Sequence, residues 1–426
     1  MSGLVKDNVF GSSGTVAAAA GGLSWDTAVV TGSTVTVEAG NGYFINTTSN
    51  ACTITLPSSA DAGDQIILID YLRTWGDNAI TIDSNGLNFQ GSPDTYTVDY
   101  DTAGQSINLV YADSTNGWIP TSDITNAFDH TAPVTQKAIF AYGNTGSLVS
   151  VSNLVNSSGV IASDVTGVGI DRDDLAACGY GYDKAIFGYG DNGDSQGEIS
   201  ITNLVSNSGV IAADVSGVGT ARYALAAASY GGDKGIFGYG ANEGGSVSLT
   251  NLVNNSGVVA ADVTGVGTVR TQLAATGYGT DKAIFGYGGA ASGRVSITNL
   301  VSNLGVVGTD VTGVGTASRH KAAASYGGDK AIFGYGLNNA GAKISVTNLV
   351  SSSGVVASDV SGVGTARSLL AAASYGGDKA IFAYGDTGSA SSLSNLVNSS
   401  GVVASDVTGV GTARYGLAAA GYSNAA

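Results

Sequence analysis

Short apolar segments separated by glycine-rich turns dominate the second part of the chain. In "SVSLTNLVN" the apolar and polar positions alternate as they do in a half-buried strand. The turns "GGD" and "NNSG" hold residues that tight turns favour, and no segment has helical periodicity. One copy of the pattern therefore predicts four short strands: "ALAAASYG" (224–231), "KGIFGYG" (234–240), "SVSLTNLVN" (246–254) and "VVAADV" (258–263).

This four-strand pattern returns six times between residues 137 and 422. Its landmarks are "KAIF" or "KGIF", then "NLV", then "DVTGVG" or "DVSGVG", then an Ala-rich run that ends in Tyr. The repeat is about 48 residues long, and a repeat of that length with four antiparallel strands is typical of a β-propeller blade. A right-handed parallel β-helix is the alternative, although its coils are usually shorter. The first landmark begins at Lys137, Lys184, Lys234, Lys282, Lys330 and Lys379.

The two ends of the repeat region complete each other. The first copy begins at Lys137 with the second strand of the pattern, whereas the chain finishes with "YGLAAAGYSN" (415–424), a first strand that has no second strand after it. Pairing of these segments closes a ring and leaves no open sheet edge. Asn424 then takes the place of the Asp found in the other copies. We therefore predict an all-β fold in which residues 137–426 form a six-bladed propeller closed by the C-terminal strand.

The preceding part of the chain has no repeat. Residues 25–125 show strand alternation between Gly, Asn and Asp turns, which predicts a small antiparallel β-domain. Residues 1–24 are rich in small residues and predict an extended arm. Residues 126–136 predict a linker between the domains. The domain's expected strands lie at residues 34–40, 51–57, 64–70, 78–84 and 105–113.

Composition narrows the possible partners. The chain has 65 glycines and a formal net charge of −16, which disfavours binding to nucleic-acid phosphates or to anionic membrane surfaces. No apolar run is long enough for a signal peptide or a membrane span, so we expect no membrane insertion. Cys52 and Cys178 lie in regions of different character. They predict two buried thiols rather than a disulfide framework.

Several charged side chains recur in every copy and are interpreted as scaffold. The Asp–Lys pair at the first turn, Asp183–Lys184 for example, predicts a surface charge pair at a turn that Asp favours. An Arg recurs before the Ala-rich run, and we expect it to brace neighbouring blades against Asp residues such as Asp214 and Asp262. These arginines are Arg172, Arg222, Arg270, Arg319, Arg367 and Arg414.

Each copy also carries one Phe and one Tyr near the end of its second strand. The Phe is expected to fill the gap between neighbouring blades, where a large aromatic side chain fits. The Tyr either packs in the same way or joins a ring near one face that stacks on sugars. The phenylalanines are Phe140, Phe187, Phe237, Phe285, Phe333 and Phe382. The tyrosines are Tyr142, Tyr189, Tyr239, Tyr287, Tyr335 and Tyr384.

Residues for catalysis or metal binding are sparse. The two histidines, His130 and His320, have neither triad nor metal-ligand spacing. The segment "DNGDSQGE" (191–198) is acidic but lacks the full calcium-loop pattern, so we predict no metal site and no cofactor. We expect a protein that is not an enzyme. Acidic pairs for glycoside cleavage leave no local signature, so a glycan-processing enzyme stays open as an alternative.

Differences between the copies fall at one end of the predicted blades. The loop from strand 2 to strand 3 and the link from strand 4 to the next strand 1 vary, whereas the other two turns are nearly constant. In an antiparallel blade both varied segments lie at the same end, and loops on a rigid scaffold commonly carry binding residues. We predict a ligand-binding face formed by Asp191, Asp194, Glu198, Tyr223, Glu243, Arg294, Arg319, His320, Lys321, Lys343 and Tyr415.

Two family resemblances extend this interpretation. Over residues 137–422 the order of an Arg, an Ala-rich strand, "DKAIFGYG", a variable loop and "SITNLV" resembles kelch repeats. The kelch Gly-Gly is here Gly-Tyr-Gly, and the late Trp is absent. The segments "NGLNFQGSPDTYTVDY" (85–100) and "NGWIPTSD" (116–123), together with the repeats, resemble virion and tail-fibre proteins of tailed bacteriophages, particularly those that infect cyanobacteria and other marine bacteria.

The phage resemblance implies a virion protein, most simply a tail fibre or spike. Its N-terminal region would attach to other virion or tail proteins, and its propeller would bind a glycan or protein on the host surface. Fibres of this kind are often homotrimers, so the resemblance also implies that assembly state. A structural or decorating virion protein without a receptor role is the alternative.

Overall fold

The computed structural model describes residues 23–93, 98–122, 136–194 and 197–423. These residues form strands, turns and loops, which confirms the predicted all-β class. They divide into two compact units whose boundary falls between residues 132 and 133. The arm predicted at residues 1–24 and the linker predicted at residues 126–136 lie almost entirely outside the described residues. The described ranges contain no helix with the length and apolarity that crossing a membrane requires.

The described residues of the first unit form nine strands in two sheets. The strands are β1 (Ser24–Trp25), β2 (Thr34–Thr36), β3 (Asn41–Ile45), β4 (Cys52–Thr55), β5 (Gln65–Asp70), β6 (Ile80–Asp83), β7 (Val98–Tyr100), β8 (Ser106–Tyr111) and β9 (Trp118–Pro120). One sheet has the order β1-β3-β5-β8-β9, and the other has the order β2-β4-β6-β7. Residues from both sheets, Ile54, Leu68 and Trp118 among them, form one buried core.

Both sheets of the first unit are mixed, which corrects the predicted antiparallel domain. Strand β3 runs parallel to β1 and β5, and β4 runs parallel to β2 and β6. The pairs β5–β8, β8–β9 and β6–β7 are antiparallel. The reason is that the chain passes repeatedly from one sheet to the other, so that strands two positions apart become neighbours with the same direction. Apolar alternation predicts a strand but carries no information on its direction.

The second unit contains six three-stranded sheets. The central strands carry the "KAIF" or "KGIF" landmark: β10 (Lys137–Ala141), β13 (Lys184–Gly188), β16 (Lys234–Gly238), β21 (Lys282–Gly286), β27 (Lys330–Gly334) and β31 (Lys379–Ala383). The Ala-rich strands are β12 (Ala176–Tyr180), β15 (Ala226–Tyr230), β20 (Ala274–Tyr278), β26 (Ala322–Tyr326), β30 (Ala371–Tyr375) and β33 (Ala418–Tyr422). The "NLV" strands are β11 (Ser152–Val155), β14 (Thr202–Val205), β19 (Thr250–Val253), β24 (Thr298–Val301), β29 (Thr347–Val350) and β32 (Ser394–Val397).

Short ribbons complete the second unit at one end of the sheets. They consist of β17 (Ala241–Asn242), β18 (Gly245–Ser246), β22 (Gly289–Ala290), β23 (Gly293–Arg294), β25 (Ser318–Arg319) and β28 (Leu337–Asn338). Within the ribbons β17 pairs with β18, β22 with β23, and β25 with β28, all antiparallel. These ribbons belong to the segments that differ most between the copies.

The C-terminal strand completes the first sheet of the second unit. Strand β33 pairs antiparallel with β10, with Ala138 opposite Gly421 and Ala141 opposite Ala418, which confirms the predicted pairing of the two ends. The Ala-rich strands contact one another in the order β12, β15, β20, β26, β30, β33, and β33 contacts β12 again. Their small side chains permit this close approach. The contacts between sheets therefore return to their starting point.

The predicted fourth strand of each copy is not a continuous strand. In one copy it meets the third strand only at isolated bridges, Val253 with Val259 and a second one further along. Between the bridges the Nδ2 of Asn251 donates to the carbonyl oxygen of Ala260 at 3.0 Å, so a side chain replaces a ladder hydrogen bond. The segment lies at the sheet edge, where Val258 is 61% exposed.

Aromatic side chains fill the space between neighbouring sheets. The ring centre of Phe285 lies 5.2 Å from that of Tyr239 in the preceding sheet, and Phe140 lies 5.4 Å from Tyr384, which joins the first sheet to the last. All six phenylalanines and all six tyrosines of this set are fully buried. The hydroxyl of Tyr239 donates to the carbonyl of Val266 at 3.1 Å. The expected packing role of the Phe is confirmed, and the Tyr packs as well, so its alternative role as a sugar-stacking surface is ruled out.

Candidate functional site

A buried arginine connects neighbouring sheets of the second unit. Arg270 donates from Nη2 to Asn299 Oδ1 at 2.6 Å and from Nε to the carbonyl of Tyr287 at 3.0 Å, both within its own sheet. Its guanidinium carbon lies 4.4 Å from the ring centre of Tyr239, which belongs to the preceding sheet. Hydrogen bonds therefore fix the cation to one sheet, and a cation–π contact holds it to the other.

An aspartate completes this contact. Asp310 accepts hydrogen bonds from Asn299 Nδ2 at 2.9 Å and from Thr268 Oγ1 at 2.6 Å, and it lies 3.8 Å from Arg270. Burial alone raises the pKa of Asp310, but the hydrogen bonds from Thr268 and Asn299 outweigh burial and hold that pKa below its ordinary value. The predicted arginine brace is confirmed in this copy, but its contact to the preceding sheet is made with Tyr239, and Asp310 lies in the arginine's own sheet. Equivalent pairs are Arg222 with Asp262 at 3.6 Å and Arg367 with Asp406 at 3.9 Å.

One copy makes the same contact with different residues, which corrects the prediction that Arg319 is a brace. Ser318 stands where the other copies have the bracing Arg, and Lys321 stands where they have Leu. Lys321 is 5% exposed, and its Nζ lies 3.4 Å from Asn348 Oδ1 and 4.6 Å from the ring centre of Tyr287. Lys321 is therefore the brace of this copy, and Arg319 is not. Lys321 also lines the cavity that is described below. The sequence alone points to Arg319 as the equivalent of the other arginines, but the equivalent position is Ser318, one residue earlier.

The Asp–Lys pairs of the first turn are surface ion pairs, as expected. Lys282 Nζ lies 2.8 Å from Asp281 Oδ1, and the lysine side chain is 45% exposed. Pairs of this kind contribute little to stability because solvent screens them. The partner expected for Lys137, Asn424, lies outside the described residues. The remaining pairs are Asp183–Lys184, Asp233–Lys234, Asp329–Lys330 and Asp378–Lys379.

The two varied segments of each copy lie side by side at the same end of the sheets. We call the place of the bracing Arg in each copy the brace position and the Tyr-Gly pair that follows each central strand the Tyr-Gly step. The backbones of the two segments meet at one bridge, which joins the residue after the brace position to the residue after the Tyr-Gly step. This placement agrees with the sequence-based geometry. The bridged pairs include Asp173 with Asp191, Tyr223 with Ala241, Thr271 with Gly289, Arg319 with Leu337, Ser368 with Asp386 and Tyr415 with Asn144.

Six residues with left-handed backbone surround a cavity at this end. They occupy the second position after the brace position: Asp174, Ala224, Gln272, His320, Leu369 and Gly416. Five of them donate a backbone N–H to the preceding member of the ring, for instance His320 to the carbonyl of Gln272 at 2.8 Å. This ring of hydrogen bonds offsets the strain of left-handed non-glycine residues. The cavity measures about 120 Å³.

One sector of this end is acidic. Asp174 lines the cavity, and burial, with Asp173 and Asp191 beside it, raises the pKa of Asp174 to about 7. Asp191 bridges to Glu198, and Glu198 Oε1 accepts the backbone N–H of Glu243 at 2.7 Å. The structure thus brings four predicted residues together in two neighbouring copies: Asp191, Asp194, Glu198 and Glu243. Within the described part of the chain, no group of three His, Cys, Asp or Glu side chains is placed to hold a metal ion.

The next two copies form a basic sector. Arg294, Arg319 and His320 lie close enough for their charges to interact, and burial, with the charges of Arg319 and Arg294, lowers the pKa of His320 to about 4. The imidazole is therefore neutral at pH 7. Lys343 also lies here and forms a 2.9 Å ion pair with Asp386. The other two predicted residues, Tyr223 and Tyr415, are half-buried in the varied segments of other copies.

Sequence reasoning named His320 but missed Asp174, Gln272 and Leu369. What these residues share is a positive φ and a place on the cavity wall, which no common residue type marks. The sequence does mark this position in one way: the residue two places after the brace position differs in every copy. A position whose backbone is constant and whose side chain always changes is a candidate for ligand contact.

Comparison with known proteins adds no family to this picture. No protein-family model matches the chain, and no curated protein is significantly similar to it.

In the copy with Ser318, Lys321 supplies the buried cation that the bracing Arg supplies in the others. This substitution predicts the stability of a double mutant. Lys321→Leu leaves Asn348 Oδ1 buried without its donor, so the free energy of unfolding should fall by about 2–3 kcal/mol. Adding Ser318→Arg recreates the arrangement of the other copies and should recover most of that loss. Lys282→Leu breaks an exposed pair and serves as the matched control, with a change below about 1 kcal/mol.

All three tryptophans, Trp25, Trp75 and Trp118, belong to the first unit. Tryptophan fluorescence during urea unfolding therefore reports the first unit alone. Tyrosine circular dichroism reports both units, so a change seen by circular dichroism and not by tryptophan fluorescence measures these variants in the second unit, which holds 15 of the 20 tyrosines. A double variant no more stable than Lys321→Leu alone would show that Lys321 does not replace an arginine.

The raised pKa of Asp174 predicts a pH-dependent gain from Asp174→Asn. The folded-state pKa of about 7 lies above the ordinary value of 3.8, so the native state loses stability as the pH rises from about 4 through 7. Asp174→Asn removes this loss. Because water reaches the cavity, we expect the variant's stability relative to the unmodified chain to increase by about 1–2 kcal/mol between pH 4 and pH 8.

The measurement is urea unfolding of both proteins at the two pH values. Asp194→Asn, at an exposed position of the same sector, is the control and should change stability by less than about 0.5 kcal/mol at either pH. A gain from Asp174→Asn that is the same at pH 4 and pH 8 would contradict the buried-carboxyl account.

Proposed function

We propose that the second unit is a six-bladed, kelch-like β-propeller. Three observations support this architecture: six similar antiparallel sheets, the pairing of β33 with β10, and a cyclic order of contacts among the Ala-rich strands. In a propeller these strands would surround the central axis, and the cavity ringed by Asp174, Gln272 and His320 would lie at one mouth of the central channel.

We further propose that the chain is a tail-fibre or spike protein of a tailed bacteriophage, and that the varied end binds the host cell surface. One observation carries this proposal. Six residues share one backbone conformation around a single cavity, but their side chains are Asp, Ala, Gln, His, Leu and Gly. A scaffold that repeats its backbone and varies its side chains at one end suits recognition of an asymmetric ligand.

The remaining parts of the chain have roles consistent with this proposal. The first unit and the residues before it attach the protein to other virion or tail proteins, and the assembly is a homotrimer located in the virion. The partner of the varied end is a glycan or protein of the host surface rather than nucleic acid, consistent with the net charge of −16. The protein acts by binding and is not an enzyme.

The experiment that tests the proposal has two arms. Antibodies against the purified full chain, followed by electron microscopy of labelled phage particles, test its place on the tail. Fluorescently labelled full chain added to host cells tests receptor binding. Tyr223→Ala combined with Glu243→Ala changes the varied end, and we expect about a fivefold or greater loss of cell binding.

The matched control changes the constant end. Asp281→Ala combined with Lys282→Ala removes an exposed ion pair at the opposite turn and should leave cell binding within about twofold. Labelled particles without cell binding would favour a decorating virion protein, and sugar release from the cell surface would favour a glycan-processing enzyme. Either result contradicts the receptor-binding proposal.

A further inference from the structure

Two arginines from neighbouring copies lie on the same face of one ribbon. Gly289 and Arg294 are directly opposite each other in the β22–β23 pair, so their side-chain positions are on one face. A Cβ built on Gly289 would lie 3.8 Å from Cδ of Arg319, which comes from the next copy. The aliphatic part of Arg319 therefore lies over Gly289, beside Arg294.

These two arginines lack the partners that other cations of the unit have. The Nε atoms of Arg294 and Arg319 are buried without a hydrogen-bond partner, and among the described residues no carboxylate forms an ion pair with either. Burial, with the like charge of Arg294, lowers the pKa of Arg319. By contrast, Lys343 on the same end is paired with Asp386. Two adjacent, unneutralised guanidinium groups are a site for an oxyanion.

An unpartnered acceptor lies beside the two cations. Oε1 of Gln272 is buried without a hydrogen bond and lies 3.8 Å from the same Cβ position of Gly289. Gln272 also lines the cavity together with His320, whose imidazole is neutral at pH 7. An oxyanion alone does not satisfy an amide carbonyl, since that oxygen needs a donor such as a hydroxyl group.

We propose that this pocket binds an acidic saccharide. Arg294 and Arg319 hold the carboxylate, and Gln272 accepts a hydrogen bond from a hydroxyl group of the same sugar. The assignment rests on the proposed function in one respect, because it gives the host-surface ligand its chemical class. The pocket itself is defined by the three side chains alone.

No other copy repeats this arrangement. At the positions equivalent to Gly289, Arg294 and Arg319, the acidic sector has Asp191, Glu198 and Tyr223. A carboxylate placed there would meet like charges. The basic pocket therefore sets which side of the cavity the acidic end of a saccharide occupies, while neutral parts of the ligand extend toward the remaining copies.

The test measures binding of small sugars to the full chain by isothermal titration calorimetry. The panel contains galacturonate, glucuronate and N-acetylneuraminate, with galactose, glucose, acetate and inorganic phosphate as comparisons. At least one acidic sugar should bind more tightly than its neutral counterpart, acetate and phosphate. Arg319→Gln or Arg294→Gln should each weaken that binding by about tenfold to a hundredfold.

Two further variants make the test specific. Lys282→Gln removes a cation at the opposite, constant end of the sheets, where Lys282 pairs with Asp281, and it should leave affinity within about twofold. Gln272→Met should weaken binding of the acidic sugar and leave acetate binding unchanged, because only the sugar supplies the hydroxyl donor. Circular dichroism of each variant verifies that the fold is retained.

The outcomes separate this site from the proposed function. Binding of no acidic sugar, or equal binding of phosphate and the best acidic sugar, would overturn the acidic-saccharide assignment even if the labelled chain binds cells. Sugar binding that depends on Arg294, Arg319 and Gln272 would support the site even if the chain binds no cells, and the receptor role alone would then be wrong.

Discussion

The second unit depends on a buried cation placed between each pair of neighbouring sheets. A guanidinium taken out of water is costly unless its donors are satisfied. Here the cost is met by a carbonyl and an Asn side chain of one sheet and by the Tyr ring of the preceding sheet, as at Arg270. Since each brace takes its hydrogen bonds from one sheet and its aromatic contact from the preceding sheet, the full set of contacts forms only where two sheets meet. The substitution of Lys321 for an arginine, with Ser318 at the vacated position, shows the same requirement met by different residues.

The contacts between neighbouring sheets explain which parts of the copies are constant. The brace, the Phe–Tyr contacts and the Ala-rich strands fix the spacing and angle of the sheets, so they tolerate little change. The segments that meet beyond the Tyr-Gly step satisfy their backbone through one bridge and one ring of N–H donors, whatever the side chains are. Side chains at Asp174, Gln272 and His320 are therefore available for recognition. Under the proposed function, opposite charges in neighbouring sectors would give a ligand one preferred orientation.

The sequence alone predicted the repeats, the central strands and the pairing of β33 with β10, because these follow from period and apolar alternation. It missed the parallel pairs of the first unit, since alternation does not encode strand direction. It placed a fourth strand where Asn251 side-chain hydrogen bonds interrupt the ladder. It assigned the brace to Arg319, because the correct residue, Lys321, is identified only by the Asn and Tyr that it contacts in space. The cavity ring shares a backbone conformation without sharing a residue type.

The proposed propeller requires the six sheets to form one closed unit through the pairing of β33 with β10. Hydrogen–deuterium exchange on a chain that lacks residues 417–426 tests this closure. We expect the amides of Lys137–Ala141 to lose protection in the truncated chain and to regain it when a peptide of residues 415–426 is added. The first unit serves as the internal reference and should keep its protection. Full protection of these amides without the C-terminal strand would contradict the account.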